Sequence, residues 1–151
     1  MFEIRIMSLM DVPFVLHTLK QSLKWSHKRV IKVAKFMQNL PCGLVLVKGE
    51  EPIGFLIYTR KGDVNVVKLI AVVPAYRRKG GALALLMAPI TSYTQQGVNI
   101  PFEAEVLDDD LPAQMLFRKA GFKFRGRKTV NDKTKFIFSY RFTEEGAKES
   151  V

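Results

Sequence analysis

No run constrains this chain as much as Val72-Val73-Pro74-Ala75-Tyr76-Arg77-Arg78-Lys79-Gly80-Gly81-Ala82, where an apolar, β-branched stretch passes through a proline and three cations into a Leu/Ala-rich helix. The preceding residues, Val64-Asn65-Val66-Val67-Lys68-Leu69-Ile70-Ala71-Val72, read as a strand that the proline ends. Two glycines at a helix start leave its first unpaired N–H groups open to close approach. A helix start also carries about half a unit of positive charge, and Arg77, Arg78 and Lys79 stand just before this one. The segment reads as a nest for a pyrophosphate. It matches neither the dinucleotide fingerprint, whose glycine spacing differs, nor the P-loop, which requires Gly-Lys-Ser/Thr. The alternative is a solvated basic turn.

A second segment strengthens the first of these readings. The spacing Arg77-x-x-Gly80-x-Ala82 after Val-x-Pro resembles the acetyl-coenzyme A motif of the GNAT superfamily of N-acetyltransferases. Further on, Glu105-Val106 and the stretch from Asp110 to Phe122 resemble that family's other signature: an acidic-Val strand end, then Asn-x-x-Ala-x-x-Leu-Tyr-x-x-x-Gly-Phe. Ala113, Leu116, Gly121 and Phe122 match in register, whereas Asp110 replaces the usual Asn and Phe117 the usual Tyr. Together the segments span residues 64–127, and the nearest pattern is that of the ribosomal-protein N-terminal alanine acetyltransferases. The resemblance implies an α/β (α+β) GNAT fold: a mixed, mostly antiparallel sheet of six to seven strands flanked by about four helices.

The order of elements agrees with that fold. Phe2, Ile4 and Ile6 alternate with charges as a half-buried strand does. A helix with Asp11 as N-cap and Pro13 in its first turn places Val12, Val15, Leu16, Leu19 and Leu23 on one face. A second, from about His27, buries Val30, Val33, Ala34, Met37 and Leu40 and is ended by Pro41-Cys42-Gly43. Its opposite face carries Lys28, Lys32 and Lys35. Residues 44–48 and 53–60 read as a hairpin across Gly49-Glu50-Glu51-Pro52. The third helix starts near Gly80, turns Leu83, Leu86, Ile90 and Tyr93 inward, and should kink or end at Pro89. Then come a strand at 101–107, a helix at 111–120 closed by Gly121 at C′, and strands at 122–127 and 135–142 around a turn at 129–133. Phe136, Phe138, Tyr140 and Phe142 fall on one side of the last strand. The expected organisation is a single domain over 1–142 and a frayed polar tail over 143–151.

Composition narrows the function classes. Lys and Arg number 24 against 14 Asp and Glu, a net charge of +10. That balance favours anionic ligands: coenzyme A, acidic protein surfaces or nucleic acid. No RNP-type aromatic motif or recognition-helix signature accompanies it. The sole cysteine, Cys42, permits neither an intrachain disulfide nor a thiolate zinc site, and the N-terminus shows no signal-peptide pattern. The apolar run 80–98 is too polar toward its end to span a bilayer. The expected compartment is the cytoplasm, with no membrane association.

Acetyl transfer needs a held cofactor, a polarised carbonyl, a neutral amine and a tolerable thiolate leaving group. The acetyl-CoA pyrophosphate is expected on the N–H groups of Arg78, Lys79, Gly80, Gly81 and Ala82, with Arg77, Arg78 and Lys79 adding charge. The resemblance further implies that the pantetheine arm pairs with the backbone of Ile70, Ala71 and Val72, that Glu105 is the general base, and that Asp110 and Phe117 lie beside the cofactor. Glu105 alternatively just faces solvent in the alternation Glu103-Ala104-Glu105-Val106. Lys68 stands where many relatives carry an acid, and would steer an acidic acceptor rather than take a proton. Phe117 has no proton for the departing thiolate, which leaves Tyr140 and Tyr58 as substitute donors. Trp25 and His27, between the first two helices, are the acceptor-side candidates, with core capping the alternative for Trp25. His17 and His27 lack partners at metal spacing, so no metal is expected.

The expected function is therefore an acetyl-CoA-dependent N-acetyltransferase acting on a primary amine, a protein N-terminus or lysine. The alternatives are a small-molecule amine acetyltransferase and a non-catalytic acyl-CoA-binding or nucleic-acid-associated module of the same fold. Monomer and homodimer are both open.

Overall fold

The computed structural model describes residues 2–39 and 42–142. The tail at 143–151, expected to fray, and the expected roles of Leu40 and Pro41 lie outside the described residues. The elements run β1 (Phe2–Ile6), α1 (Val12–Gln21), α2 (His27–Met37), β2 (Cys42–Lys48), β3 (Glu51–Lys61), β4 (Val64–Val72), α3 (Gly81–Gln96), β5 (Phe102–Leu107), α4 (Leu111–Lys119), β6 (Lys123–Val130) and β7 (Lys133–Tyr140). The strand order is β1-β2-β3-β4-β5-β7-β6. Every registered pairing is antiparallel except β4 with β5, which is parallel. The mixed, mostly antiparallel sheet with four α-helices is the α/β architecture expected from the sequence. Contacts divide the chain into two compact units, Met1–Tyr58 with Leu69–Leu85, and Thr59–Lys68 with Leu86–Val151.

In the first unit, β3 is buried without a break from Ile53 to Tyr58 because both its faces are covered. Register sets Val45 opposite Phe55 and Leu46 opposite Gly54, so the two sets face opposite ways. Val45, Val47, Phe55 and Ile57 join Val15 and Leu19 of α1 and Val30 and Met37 of α2 in one core. Leu46 and Gly54 meet the start of α3 on the other side.

The cap of α1 differs from the expected one in its side-chain bond. Asp11 is the N-cap residue, but its side chain makes no cap bond to that helix. Instead Ser8 and Asp11 form a capping box on a single 3-10 turn just before α1, and Asp11 takes a bidentate pair from Arg5 at 2.8 Å for each bond. These contacts, the Arg5 hydrogen bond first, hold the Asp11 carboxyl below its ordinary value of 3.8. A carboxyl whose folded value is depressed contributes stability that is present above its unfolded value and lost as pH falls through the folded one. Asp11→Asn is therefore expected to lower the thermal midpoint at neutral pH by several degrees, with the gap to wild type closing below about pH 4. Melting curves across pH check this.

Three further expectations change. Pro89 does not end α3, which continues to Gln96. Leu83 is only half-buried while Leu85 is fully buried, so the inward stripe is displaced. Ile6 is 79% exposed, because β1 is an edge strand whose last residue has no cover.

In the second unit, β5, β7 and β6 pair antiparallel, and α4 packs on one side through Phe117, which stacks on Phe138 and meets Phe122 edge-on. The β6–β7 turn is tighter than expected, consisting of Asn131 and Asp132 with φ of +52° and +64°. This is the two-residue hairpin that accommodates strand twist. It extends β6 to Val130 and starts β7 at Lys133. Gly121 follows α4 with φ +94°, as the C′ position requires.

Candidate active site

The loop between β4 and α3 is built by the chain's own punctuation. Val73 N–H bonds to the Ile53 carbonyl at 2.8 Å, and Pro74–Tyr76 forms one 3-10 turn. The Tyr76 ring meets Phe2 edge-on and lies beneath the Lys48 ammonium. Arg77 sends its Nε–H back to the Val72 carbonyl at 2.9 Å, so part of its guanidinium holds the loop in shape. The backbone then reverses at Arg78, φ +64°, and Gly80, φ +82°. The Gly80 carbonyl accepts the Ala84 N–H at 3.0 Å, which makes Gly80 the residue that opens the helix. The N–H groups of Gly81, Ala82 and Leu83 are thus the first of α3, without intrahelical acceptors.

The two glycines divide the work that the sequence assigned to both. A Cβ on Gly80 would meet nothing within 4 Å, so this residue supplies the left-handed conformation and open space. A Cβ on Gly81 would fall 2.6 Å from Leu46 Cδ2, so Gly81 lets the helix approach β2. Arg78, Lys79 and Gly80 are exposed, Ala82 and Ile70 are half-buried, and Ala71 and Val72 are buried. The registered pairs between β4 and β5 are Asn65 with Phe102 and Val66 with Glu103, at the start of β4 and well before Ile70. Trp25, half-buried against the α1–α2 core, carries the Arg29 guanidinium 3.4 Å over its ring. His27, exposed, opens α2 behind the Ser26 cap. Trp25 thus combines core capping with an outward cationic contact.

In the second unit, Glu105 takes a 2.8 Å hydrogen bond from Lys128 Nζ and lies 3.8 Å from Lys135 Nζ. The Lys128 bond is the main reason its carboxyl lies below the usual carboxylate range; the charges of Lys135 and Lys68 act the same way. Glu105 is therefore an anion at neutral pH. Asp110 caps α4, accepting the Ala113 N–H at 3.1 Å. Gln114, which the sequence reading missed, donates to the carbonyls of Leu107 and Asp108 and ties down the loop before that cap. Its position inside a helical pattern gave no signal of this. Phe117 is only 3% exposed, within an aromatic cluster. Tyr140 packs on Phe122 and beside Gly121, whereas Tyr58 is buried near the end of its strand.

Among the described residues, no cluster of His, Cys, Asp or Glu could hold a metal, and no helix is long and apolar enough to cross a membrane. A cavity of about 720 Å³ lined by Glu3, Ile4, Arg5, Val47, Gly49 and Glu50 shares no residue with the β4–α3 loop.

The family described as Acetyltransferase (GNAT) family matches residues 10–122. The chain belongs to the GNAT acetyltransferases. No curated protein matches it by sequence. Among solved structures, this acetyltransferase is similar to a GNAT-family protein from Desulfovibrio desulfuricans, with a TM-score of 0.81 at 14% identity, covering 93% of this chain and 99% of that one. It is also similar to the ribosomal-protein-S18-alanine N-acetyltransferase from Escherichia coli, with a TM-score of 0.75 at 23% identity over 93% and 94% of the two chains. A third is Arabidopsis thaliana NAA60 in complex with acetyl-CoA, with a TM-score of 0.77 at 16% identity over 94% and 100%. At these identities the structural likenesses establish the fold. The GNAT fold and family expected from the two motifs are both found.

Proposed function

We propose that this GNAT acetyltransferase uses acetyl-CoA to acetylate a primary amine, a protein N-terminus or a lysine. The observation that carries the reading is the loop at Arg78–Gly80: two left-handed residues, open space over Gly80 and exposed cations at the head of a helix. A bound pyrophosphate would take the N–H groups from Gly80 to Leu83 together with Arg78 and Lys79, while Arg77 shapes the loop from behind. The pantetheine arm would pair with the backbone of Ile70, Ala71 and Val72. The Arabidopsis NAA60 complex with acetyl-CoA supports the choice of donor.

In the reaction, the neutral amine nitrogen attacks the thioester carbonyl carbon. The C–N bond forms, the C–S bond breaks, and sulfur leaves as the thiolate. The proton lost by the amine passes to Glu105, directly or through water, since that side chain is ionised and partly exposed. Asp110 acts by capping α4. Phe117 has no proton to donate, so the thiolate leaves without help from this position.

The test is thiol release from acetyl-CoA with a pool of peptides and polyamines, run for wild type and Phe117→Tyr. Release by wild type supports the reading, and binding without release from any acceptor contradicts it. A correctly placed general acid accelerates such steps by about two to four orders of magnitude. Phe117→Tyr is expected to recover about tenfold of this, given that its hydroxyl enters an apolar cluster. No gain places the proton donor elsewhere.

A further inference from the structure

Directly opposed residues of a registered pair point to the same side of a sheet. The pairs Glu105 with Ile137, Leu107 with Lys135 and Lys128 with Lys135 therefore put Glu105, Lys128 and Lys135 on one side. Lys133, two residues before Lys135, shares it. So does Glu103, two residues before Glu105. Because Val66 pairs with Glu103, Lys68 shares that side as well. The helix α4 lies against the opposite side, where Phe117 stacks on Phe138. Around Glu105 this side carries Lys68, Lys128, Lys133 and Lys135 against Glu103 and Glu105. Glu105 is already engaged by Lys128 and Lys135, whereas Lys68 and Lys133 are exposed and form no ion pair among the described residues. The half-buried Ile137 lies between.

We propose that this lysine-bearing face selects acceptors with carboxylates close to the reacting amine. The proposal rests on the acetyl-transfer reading and deepens it by naming the acceptor's charge. An acceptor amine is a cation until it loses its proton, and a surplus of lysines repels a plain polyamine. A carboxylate nearby on the acceptor turns repulsion into attraction. It also offers Lys128 and Lys135 an alternative anion, which releases the Glu105 carboxylate to meet the amine. Exposed charges are screened within about 8 Å at physiological salt, so the preference must weaken as salt rises.

The test is equilibrium binding, read by fluorescence anisotropy with C-terminally labelled peptides that share a free alanine N-terminus and carry Asp/Glu, neutral or Lys residues at the next positions. At about 20 mM salt, the acidic peptide should bind about tenfold more tightly than the neutral one, and the advantage should shrink in high salt. Lys68→Glu with Lys133→Glu, which leaves both ion pairs of Glu105 in place, should reverse the order. The corresponding Gln pair should fall between them. Equal binding of the three peptides, preference for the lysine peptide, or no change of order in the variants overturns the proposal. Displacement by free glutamate assigns the site to small amino-carboxylates, and retention of the peptide assigns it to acidic N-termini; either supports it. Displacement by a short RNA at lower concentration than by any carboxylate overturns it. Because binding is read without turnover, failure of the acetyl-transfer reading would appear separately, as acidic-peptide binding with no thiol release.

Discussion

Glu105→Gln is expected to lower thiol-release turnover by about a hundredfold and to leave the affinity for acetyl-CoA within about a factor of two. General base catalysis is typically worth about two to four orders of magnitude, and glutamine keeps the volume and one oxygen while losing the proton affinity. The pH dependence has a defined sign. Lys128 holds the Glu105 carboxyl below its ordinary 4.5, so this group stays ionised through neutrality. Wild-type kcat/KM is therefore expected to rise between neutral and alkaline pH with deprotonation of the acceptor amine. An acid limb from Glu105 itself is expected only below the usual carboxylate range. Initial rates across pH for both proteins check the two statements, and intact turnover in Glu105→Gln removes this residue from the mechanism.

The second large effect is at Gly80. Gly80→Val should weaken acetyl-CoA binding at least about a hundredfold, because a β-branched side chain fills the space over the helix start and cannot hold φ +82° without strain. That strain costs about 1–3 kcal/mol, so the variant melts earlier but remains folded in the cold. A Cβ at this position meets no other atom within 4 Å, so the Cβ itself adds no clash to the strain. Gly80→Ala, smaller but equally left-handed, separates the contributions: similar melting with intermediate binding assigns most of the loss to the occupied space. Calorimetric titration and circular dichroism on the same samples give both quantities. Unchanged affinity in a folded Gly80→Val protein places the pyrophosphate elsewhere.

Local signals in the sequence carry their element through to the structure. Strand β4 spans Val64–Val72 as its apolar run indicates, and α4 is bounded by Asp110 and Gly121, whose cap and C′ roles follow from their chemistry. The hairpin hidden in 122–142 was harder to read. Its turn is Asn131-Asp132, a pair suited to left-handed backbone, but lysines on either side blurred the strand ends. Asp11 showed an N-cap pattern and proved to be half of a capping box on an earlier turn, because Arg5 on a neighbouring strand competes for its carboxylate.

The site divides in the same way. Gly80 announced its role through its place between a basic run and a helix. Gly81 looked identical, and only the packing of α3 against Leu46 separates the two. The lysines around Glu105 lie 23 and 30 positions further along the chain, at 128 and 135, and reach it through strand register, which no local pattern encodes. Phe117 was legible as a departure from the family pattern. Its burial against Phe122 and Phe138 gives it a packing role that the motif alone did not reveal.

The most direct test is calorimetric titration of the wild-type protein with acetyl-CoA. The β4–α3 loop predicts one site per chain with micromolar affinity, weakened by salt because exposed cations contribute to it. No heat of binding at millimolar acetyl-CoA would contradict the assignment of that loop as a pyrophosphate nest, and with it the acetyl-CoA-dependent mechanism.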